Sequence, residues 1–353
     1  MNIEKLGWNE SLQESFKSYE SQGYTVGRVA SEHKRMYRVL TAEGEMLAEI
    51  SGKLRFVASN RESYPAVGDW VVVTILKGEG KAIIHAVLPR NSKFSRKVAG
   101  NVTEEQIVAT NINSLFLVNA LNNDLNVRRI ERYLIMAWES GANPVIVLTK
   151  SDLCEDVAAK ISEVESVALG VPVHACSVKE NQGIEILRAY FKENQTVALL
   201  GSSGAGKSTL TNCLLGEEKQ FVQEVREGDD RGRHTTTHRE LLVLQTGGVI
   251  IDTPGMRELQ LWESDTALQH SFQDIEELAS NCRFRDCSHK SEPGCAIQAA
   301  IKNGIIEGSR YQSYVKLQKE LAHLERKTDK RAQLVEKENR KRITNAVKNK
   351  KKF

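Results

Sequence analysis

At 353 residues, with 40% hydrophobic and 27% charged side chains, the chain is too long for one ordinary core and is expected to divide into two or three domains. Its longest apolar runs (82–88, 145–148 and 249–251) fall far short of a bilayer span, and residues 1–20 carry scattered charges without an apolar centre. No membrane partner and a cytoplasmic location are therefore expected, and six cysteines in so long a chain argue against a disulfide scaffold, with Cys154, Cys176 and Cys213 read as packed thiols.

Residues 1–22 read as an N-terminal extension. From there β-forming stretches alternate with turns, predicting strands at 24–30, 36–41, 46–56, 69–75 and 81–88, with breaks at Ala42-Glu43-Gly44 and Lys77-Gly78-Glu79-Gly80. Five such strands predict an OB-type barrel over 23–90, a fold often used for nucleic acid, with an SH3-like barrel as the alternative. The basic stretch 89–97 reads as loop, and 91–110 is assigned as a linker. The rhythm then changes to strand 114–119, helix 127–140, strand 144–148, helix 157–168, strand 171–174, helix 184–193 and strand 196–200. That is the alternation of βαβ units, and it predicts a mostly parallel sheet with helices on both faces in an α/β domain over 111–272.

Three motifs lie at strand ends in this domain. Thr149-Lys150-Ser151-Asp152 closes one strand, and the Asp152 carboxylate can accept from both N1–H and the exocyclic amine of guanine, a donor pair that adenine lacks. Cys176-Ser177-Val178 follows the next strand, near where guanine O6 would meet a backbone N–H. The segment Gly201-Ser202-Ser203-Gly204-Ala205-Gly206-Lys207-Ser208-Thr209 stands between an apolar strand and a helix, as a phosphate-binding loop must. Its glycines let successive N–H groups turn inward, Lys207 reaches the β- and γ-phosphates, and Ser208 offers a hydroxyl to Mg²⁺. Further on, strand 248–251 ends in Asp252-Thr253-Pro254-Gly255, placing Asp252 to hold Mg²⁺ through water and the Gly255 N–H to touch the γ-phosphate. GTP and GDP, with Mg²⁺, are the expected ligands. An ATPase or kinase has only the phosphate loop in its favour.

Residues 273–353 read as a third domain. Cys282, Cys287, His289 and Cys295 supply three thiolates and an imidazole within a short polar segment, the donor set of one closed, structural Zn²⁺ site. Pro293 and Gly294 suit the knuckle turn. Tyr314, Leu317, Leu321 and Leu324 recur at helical spacing and predict an amphipathic helix that packs inward. Beyond it the chain ends in a run of Lys and Arg that suits a phosphate backbone, or else a solvated tail. Arg55 and Arg61 are further RNA-binding candidates.

Read together, TKSD, CSV, GSSGAGKST, then Arg231-Gly232-Arg233-His234-Thr235-Thr236-Thr237, then DTPG resemble a circularly permuted GTPase, with the base-reading motifs ahead of the phosphate-reading ones. With a β-barrel in front and a Cys/His cluster behind, nearly the whole chain is similar to the ribosome small subunit-dependent GTPase A family. Two positions depart from common GTPase patterns. Thr149 replaces Asn, which is expected to weaken one base contact and a tether to the phosphate loop, and Val178 replaces Ala, where only the backbone is needed. Met256 follows Gly255 where many GTPases carry Gln, so slow intrinsic hydrolysis is expected. The resemblance points to His234 as the substitute catalytic group beside Lys207, against the plain alternative of an exposed loop histidine. One threonine of 235–237, with Thr236 the choice, is expected to close over the γ-phosphate. The resemblance also implies the small ribosomal subunit and its rRNA as partners, stimulation by that subunit, and a role late in its maturation; the protein is expected to be a monomer. A nucleotide-dependent RNA-binding protein in which hydrolysis is incidental is the rival reading.

Overall fold

The computed structural model describes residues 1–33, 36–58, 60–97, 105–122, 125–192, 194–216, 239–253, 265–290 and 292–322. They fall into two compact units, one made by those within Met1–Val98 and Glu104–Gln260, the other by those within Leu261–Phe353.

The first unit begins with a helix where only an extension was expected. Helix α1 (Glu10–Glu20) starts at Asn9, whose side chain accepts from the Leu12 N–H, and its apolar residues four apart, Leu12 and Phe16, are buried. Ahead of it Trp8 meets Trp70 edge-on, ring centroids 4.8 Å apart. The barrel follows as β1 (Thr25–His33), β2 (Met36–Thr41), β3 (Gly44–Ile50), β4 (Trp70–Leu76) and β5 (Lys81–Val87). Its pairings run β1–β2–β3–β5–β4 and back to β1, with β3 and β5 parallel, so the sheet closes. Val29, Val39, Val71, Val73 and Ile84 fill it, all fully buried. The third strand stops well before the predicted residue 56. Ser51 accepts from the Leu54 N–H and starts helix α2 (Gly52–Val57), an N-cap that overrides the β-propensity of the residues after it.

The stretch expected as a linker holds two strands, β6 (Lys93–Lys97) and β7 (Glu105–Thr110), paired antiparallel. Its basic residues concealed an apolar set, for Phe94, Val108 and Ala109 are buried. The α/β domain then runs β8 (Ser114–Ala120), α3 (Val127–Glu139), β9 (Asn143–Thr149), α4 (Val157–Glu165), β10 (Val173–Ala175), α5 (Ile184–Arg188), β11 (Thr196–Gly201), α6 (Lys207–Leu215), β12 (Glu240–Val243) and β13 (Val249–Asp252). The order across the sheet is β10-β9-β8-β11-β13-β12, parallel except for β12. On one face Phe116, Val118, Val147 and Leu199 pack with Leu187 of α5 and with Leu210 and Leu214 of α6. The alternating residues Leu115, Leu117, Ile146 and Leu148 are equally buried, as sheets covered on both faces require.

Barrel and α/β domain share one sheet of 11 strands, because Ser31 of β1 pairs with Glu240 of β12. Arg38 strengthens that junction with a 2.7 Å bond to Glu240 while its other nitrogens hold Glu45. Arg28 is a second tie. Fully enclosed, its guanidinium donates to the carbonyls of Leu6, Gly68 and Asn111 and, at 2.9 Å, to the Thr196 hydroxyl at the start of β11. Burial pulls Arg28 down to about 9, opposed by the Asp69 charge.

The second unit contains α7 (Asp265–Ser271), α8 (Gln273–Ser280), α9 (Ala296–Lys302) and α10 (308–322). Tyr314, Leu317 and Leu321 of the predicted stripe are buried, and Leu324 lies outside the described residues. Arg310 fixes α10 to α8 through two 2.8 Å bonds to Asp274 and lies over the Phe272 ring.

Candidate functional site

Each predicted motif in the α/β domain leaves the C-terminal end of a parallel strand: β9 leads to 149–152, β10 to 176–178, β11 to 201–206, and β13 ends on Asp252. Since these strands are neighbours or one apart, the motifs gather on a single rim, where open α/β sheets bind ligands.

The phosphate loop is held tightly from beneath. β11 is buried along its whole length, and a Cβ on Gly201 would run into the Val118 carbonyl oxygen of β8. Gly204 and Gly206 take φ of +83° and +85°, left-handed values that cost glycine little, so the loop doubles back and α6 starts at Lys207. Lys207 is buried, and its Nζ donates to the Gly201 carbonyl at 3.0 Å and the Ser202 carbonyl at 2.9 Å. Burial pulls its ammonium down to about 8, against the opposing pull of Asp252. A buried lysine that donates to loop carbonyls is a charge suited to an anion, and phosphate oxygens are stronger acceptors than the carbonyls they would replace. Ser202 and Ala205 are buried, while Ser203, Ser208 and Thr209 are half-buried around the first turn of α6, where the helix dipole favours negative charge.

On the base side, the hydroxyl of Thr149 donates to the Ala205 carbonyl at 2.7 Å. That bond joins the end of β9 to the phosphate loop directly, at the tether expected to be weaker with Thr in place of Asn. Lys150 then adopts φ +58°, turning the chain sharply, and Asp152 follows in a single 3₁₀ turn. The hydroxyl of buried Ser177 donates to Asp152 Oδ1 at 2.7 Å and accepts from the Glu180 N–H at 3.2 Å. This side-chain contact was not foreseen, because Ser177 had been considered only for its backbone. It orients the carboxylate through Oδ1. Val178 packs against the core, as a residue contributing through its backbone can.

Asp252 is fully buried at the end of β13, and the neighbouring Thr253 hydroxyl donates to the Leu199 carbonyl at 2.5 Å, pinning β13 to β11. A carboxylate and the Ser208 hydroxyl are hard oxygen donors of the kind Mg²⁺ takes, so these residues fit that ion. Gly255, Met256, His234 and Thr235, Thr236 and Thr237 lie outside the described residues.

In the second unit the ligand atoms of Cys282, Cys287, His289 and Cys295 all lie within 4.8 Å of one another. The Sγ atoms of Cys282 and Cys295 are 3.9 Å apart, and each is 3.5 or 3.6 Å from His289 Nδ1. Tetrahedral zinc, with bonds of about 2.3 Å to sulfur and 2.0 Å to nitrogen, requires separations of roughly 3.8 Å and 3.5 Å. The cluster therefore fits Zn²⁺. The start of α9 supports it: the Ala296 N–H points to Cys282 Sγ at 3.3 Å and the Gln298 N–H to Cys295 Sγ at 3.5 Å, bonds that favour thiolates. The four protein donors would be enough to complete a tetrahedral shell.

Comparison with known proteins places these features in a wider group. A family model described as RsgA GTPase matches residues 87–262, and one described as 50S ribosome-binding GTPase matches residues 196–350. A small ribosomal subunit biogenesis GTPase RsgA 2 of Lactiplantibacillus plantarum is 47% identical over 323 residues, covering 92% of this chain and 90% of the relative. One named RsgA 1, from Oceanobacillus iheyensis, is 48% identical over 328 residues, covering 93% of each. The crystal structure of YjeQ from Thermotoga maritima matches with a TM-score of 0.62 at 30% identity, covering 85% of this chain and 99% of that one. YloQ, described as a circularly permuted GTPase, matches in fold with a TM-score of 0.60 at 23% identity, covering 85% of this chain and 96% of its own.

Proposed function

The chain belongs to the RsgA GTPase family, and on that premise we propose that it acts in the cytoplasm, as a monomer, late in assembly of the small ribosomal subunit, binding the subunit's rRNA and being accelerated by it. It is a GTP-hydrolysing enzyme. The observation that carries the reading is the pair of contacts Thr149 to Ala205 and Ser177 to Asp152, which brings guanine-reading and phosphate-reading residues, permuted in the sequence, to one rim.

The proposed chemistry follows from those residues. Asp152, oriented by Ser177, accepts the donor pair of guanine. Lys207 exchanges the carbonyls of Gly201 and Ser202 for the β- and γ-phosphate oxygens, and the N–H groups of 201–206 with the N-terminus of α6 surround the rest of the chain of phosphates. Ser208 and Asp252 would hold Mg²⁺, which would neutralise charge on the phosphates during transfer. Nothing in this set activates a water molecule, and Met256 offers no hydrogen bond. His234 is therefore assigned to orient the attacking water and Thr236 to close on the γ-phosphate, in a segment that leads straight into β12. Ordering of that segment by GTP would favour subunit binding, and hydrolysis would favour release.

The deciding experiment is phosphate release from GTP and from ATP, each alone and with purified small or large ribosomal subunits. Hydrolysis selective for GTP and accelerated by small subunits is expected. GTP hydrolysis unaffected by them would favour an RNA-binding protein whose hydrolysis is incidental, and acceleration by large subunits alone would redirect the assignment. His234→Ala should lower turnover at saturating GTP while leaving nucleotide affinity in place.

A further inference from the structure

A cleft of about 490 Å³ lies between the barrel, β7 and the residue that precedes β12. Arg55, Arg61 and Arg239 line it, with Tyr64, Gln106 and the carboxylate of Glu32. Arg96 stands behind it, its Nε bonded to the Gln106 amide oxygen at 3.1 Å. Three guanidinium groups and one carboxylate thus line the cleft.

Arg239 is the informative member. It lies immediately before β12, half-buried, and among the described residues it makes one hydrogen bond, to the Ile107 carbonyl at 3.1 Å, and no ion pair. Its Nε is enclosed without an acceptor. Burial, helped by the charges of Arg96 and Arg61 and opposed by Glu32, pulls it down to about 10. A half-buried guanidinium among like charges, with Glu32 as the carboxylate in the cleft lining, is costly unless an anion completes it. The planar fork of arginine matches phosphate oxygens in pairs. The cleft volume is that of a small-molecule site, and the half-buried ring of Tyr64 offers a face for a base.

We propose that this cleft is a second phosphate-binding site, separate from the GTP site, that takes one ribonucleotide unit, its phosphate on Arg239 and Arg61 and its base against Tyr64. The same chemistry can come from a nucleotide within an RNA strand or from a free mononucleotide. The RNA source rests on the rRNA-binding reading above; the site itself does not.

The test uses the full-length protein saturated with GDP, so that the phosphate loop is filled. Binding of a fluorescent single-stranded RNA octamer is followed by anisotropy across a salt series, and binding of UMP by saturation-transfer NMR, for the wild type, Arg239→Gln and Arg61→Gln. Each substitution is expected to weaken RNA binding about 10- to 100-fold and to reduce the salt slope by about one, with GDP affinity unchanged. Arg61 is exposed, so its variant reports even if Arg239→Gln fails to fold. UMP binding lost in both variants supports the site with a free nucleotide as occupant. RNA binding that falls in the variants while UMP never binds supports it with an RNA strand. Wild-type protein that takes UMP but not RNA would refute the rRNA reading and leave the site standing. Wild-type protein that binds neither ligand, or ligands whose affinities ignore both substitutions, would overturn the proposal.

Discussion

Replacing Asp152 by Asn isolates the recognition of the base. The carboxylate can accept two hydrogen bonds from guanine, each a charge-assisted bond worth about 1.5–3 kcal/mol. An amide keeps one acceptor and adds a donor, which faces the guanine donors with a like group. The loss should be about 3–6 kcal/mol, or two to four orders of magnitude in GTP and GDP affinity. The fold should be spared, because the amide oxygen can still accept from Ser177, now 2.7 Å from Oδ1. Xanthosine triphosphate offers an oxygen where guanine has its exocyclic amine, so the same variant should regain part of the loss with that nucleotide. Titration of fluorescent GDP and displacement by each triphosphate measure both arms. GDP affinity within twofold of the wild type would refute the assignment of Asp152 to the base, whatever the hydrolysis rate.

Three further outcomes are expected. Thr149→Val removes the hydroxyl that reaches the Ala205 carbonyl and should speed GDP dissociation about fivefold, for roughly 1 kcal/mol; an unchanged rate in stopped-flow would make the tether inconsequential. Arg28→Met leaves the carbonyls of Leu6, Gly68 and Asn111 and the Thr196 hydroxyl without their donor, and should destabilise the first unit by about 3–5 kcal/mol in urea unfolding followed by tryptophan fluorescence. A loss below about 1 kcal/mol would show that water takes over. Chelation should release one zinc per chain and raise hydrogen exchange around 282–302 while GDP affinity holds; a folded C-terminal unit that never carries metal would contradict the zinc assignment.

Much of this was legible because the site is written in local signals. A glycine-rich loop between an apolar strand and a helix, an acidic residue closing a buried strand, and cysteines spaced around a histidine each report chemistry within ten or so residues. What was missed depends on distant partners. β12 is four residues long and makes sense only beside β13 and β1. β6 hid because its basic residues alternate with few apolar ones, and its partner lies across seven residues that carry no strand signal. Ser51 ended a strand early by capping a helix of six residues, too short for periodicity to reveal. Nothing in the sequence around Arg28 signals that Thr196, 168 positions away, completes its cage.

The pairing of Ser31 with Glu240 has a consequence for anyone who would cut this protein apart. The outer margin of β12 finds its partner on the barrel, and removing the barrel would bare that margin together with the apolar surface beside it. Unsatisfied amides along a strand invite any other extended chain to add itself. A fragment beginning near residue 105 would accordingly tend to self-associate, and kinetic work on the catalytic part alone would describe aggregates instead of the enzyme.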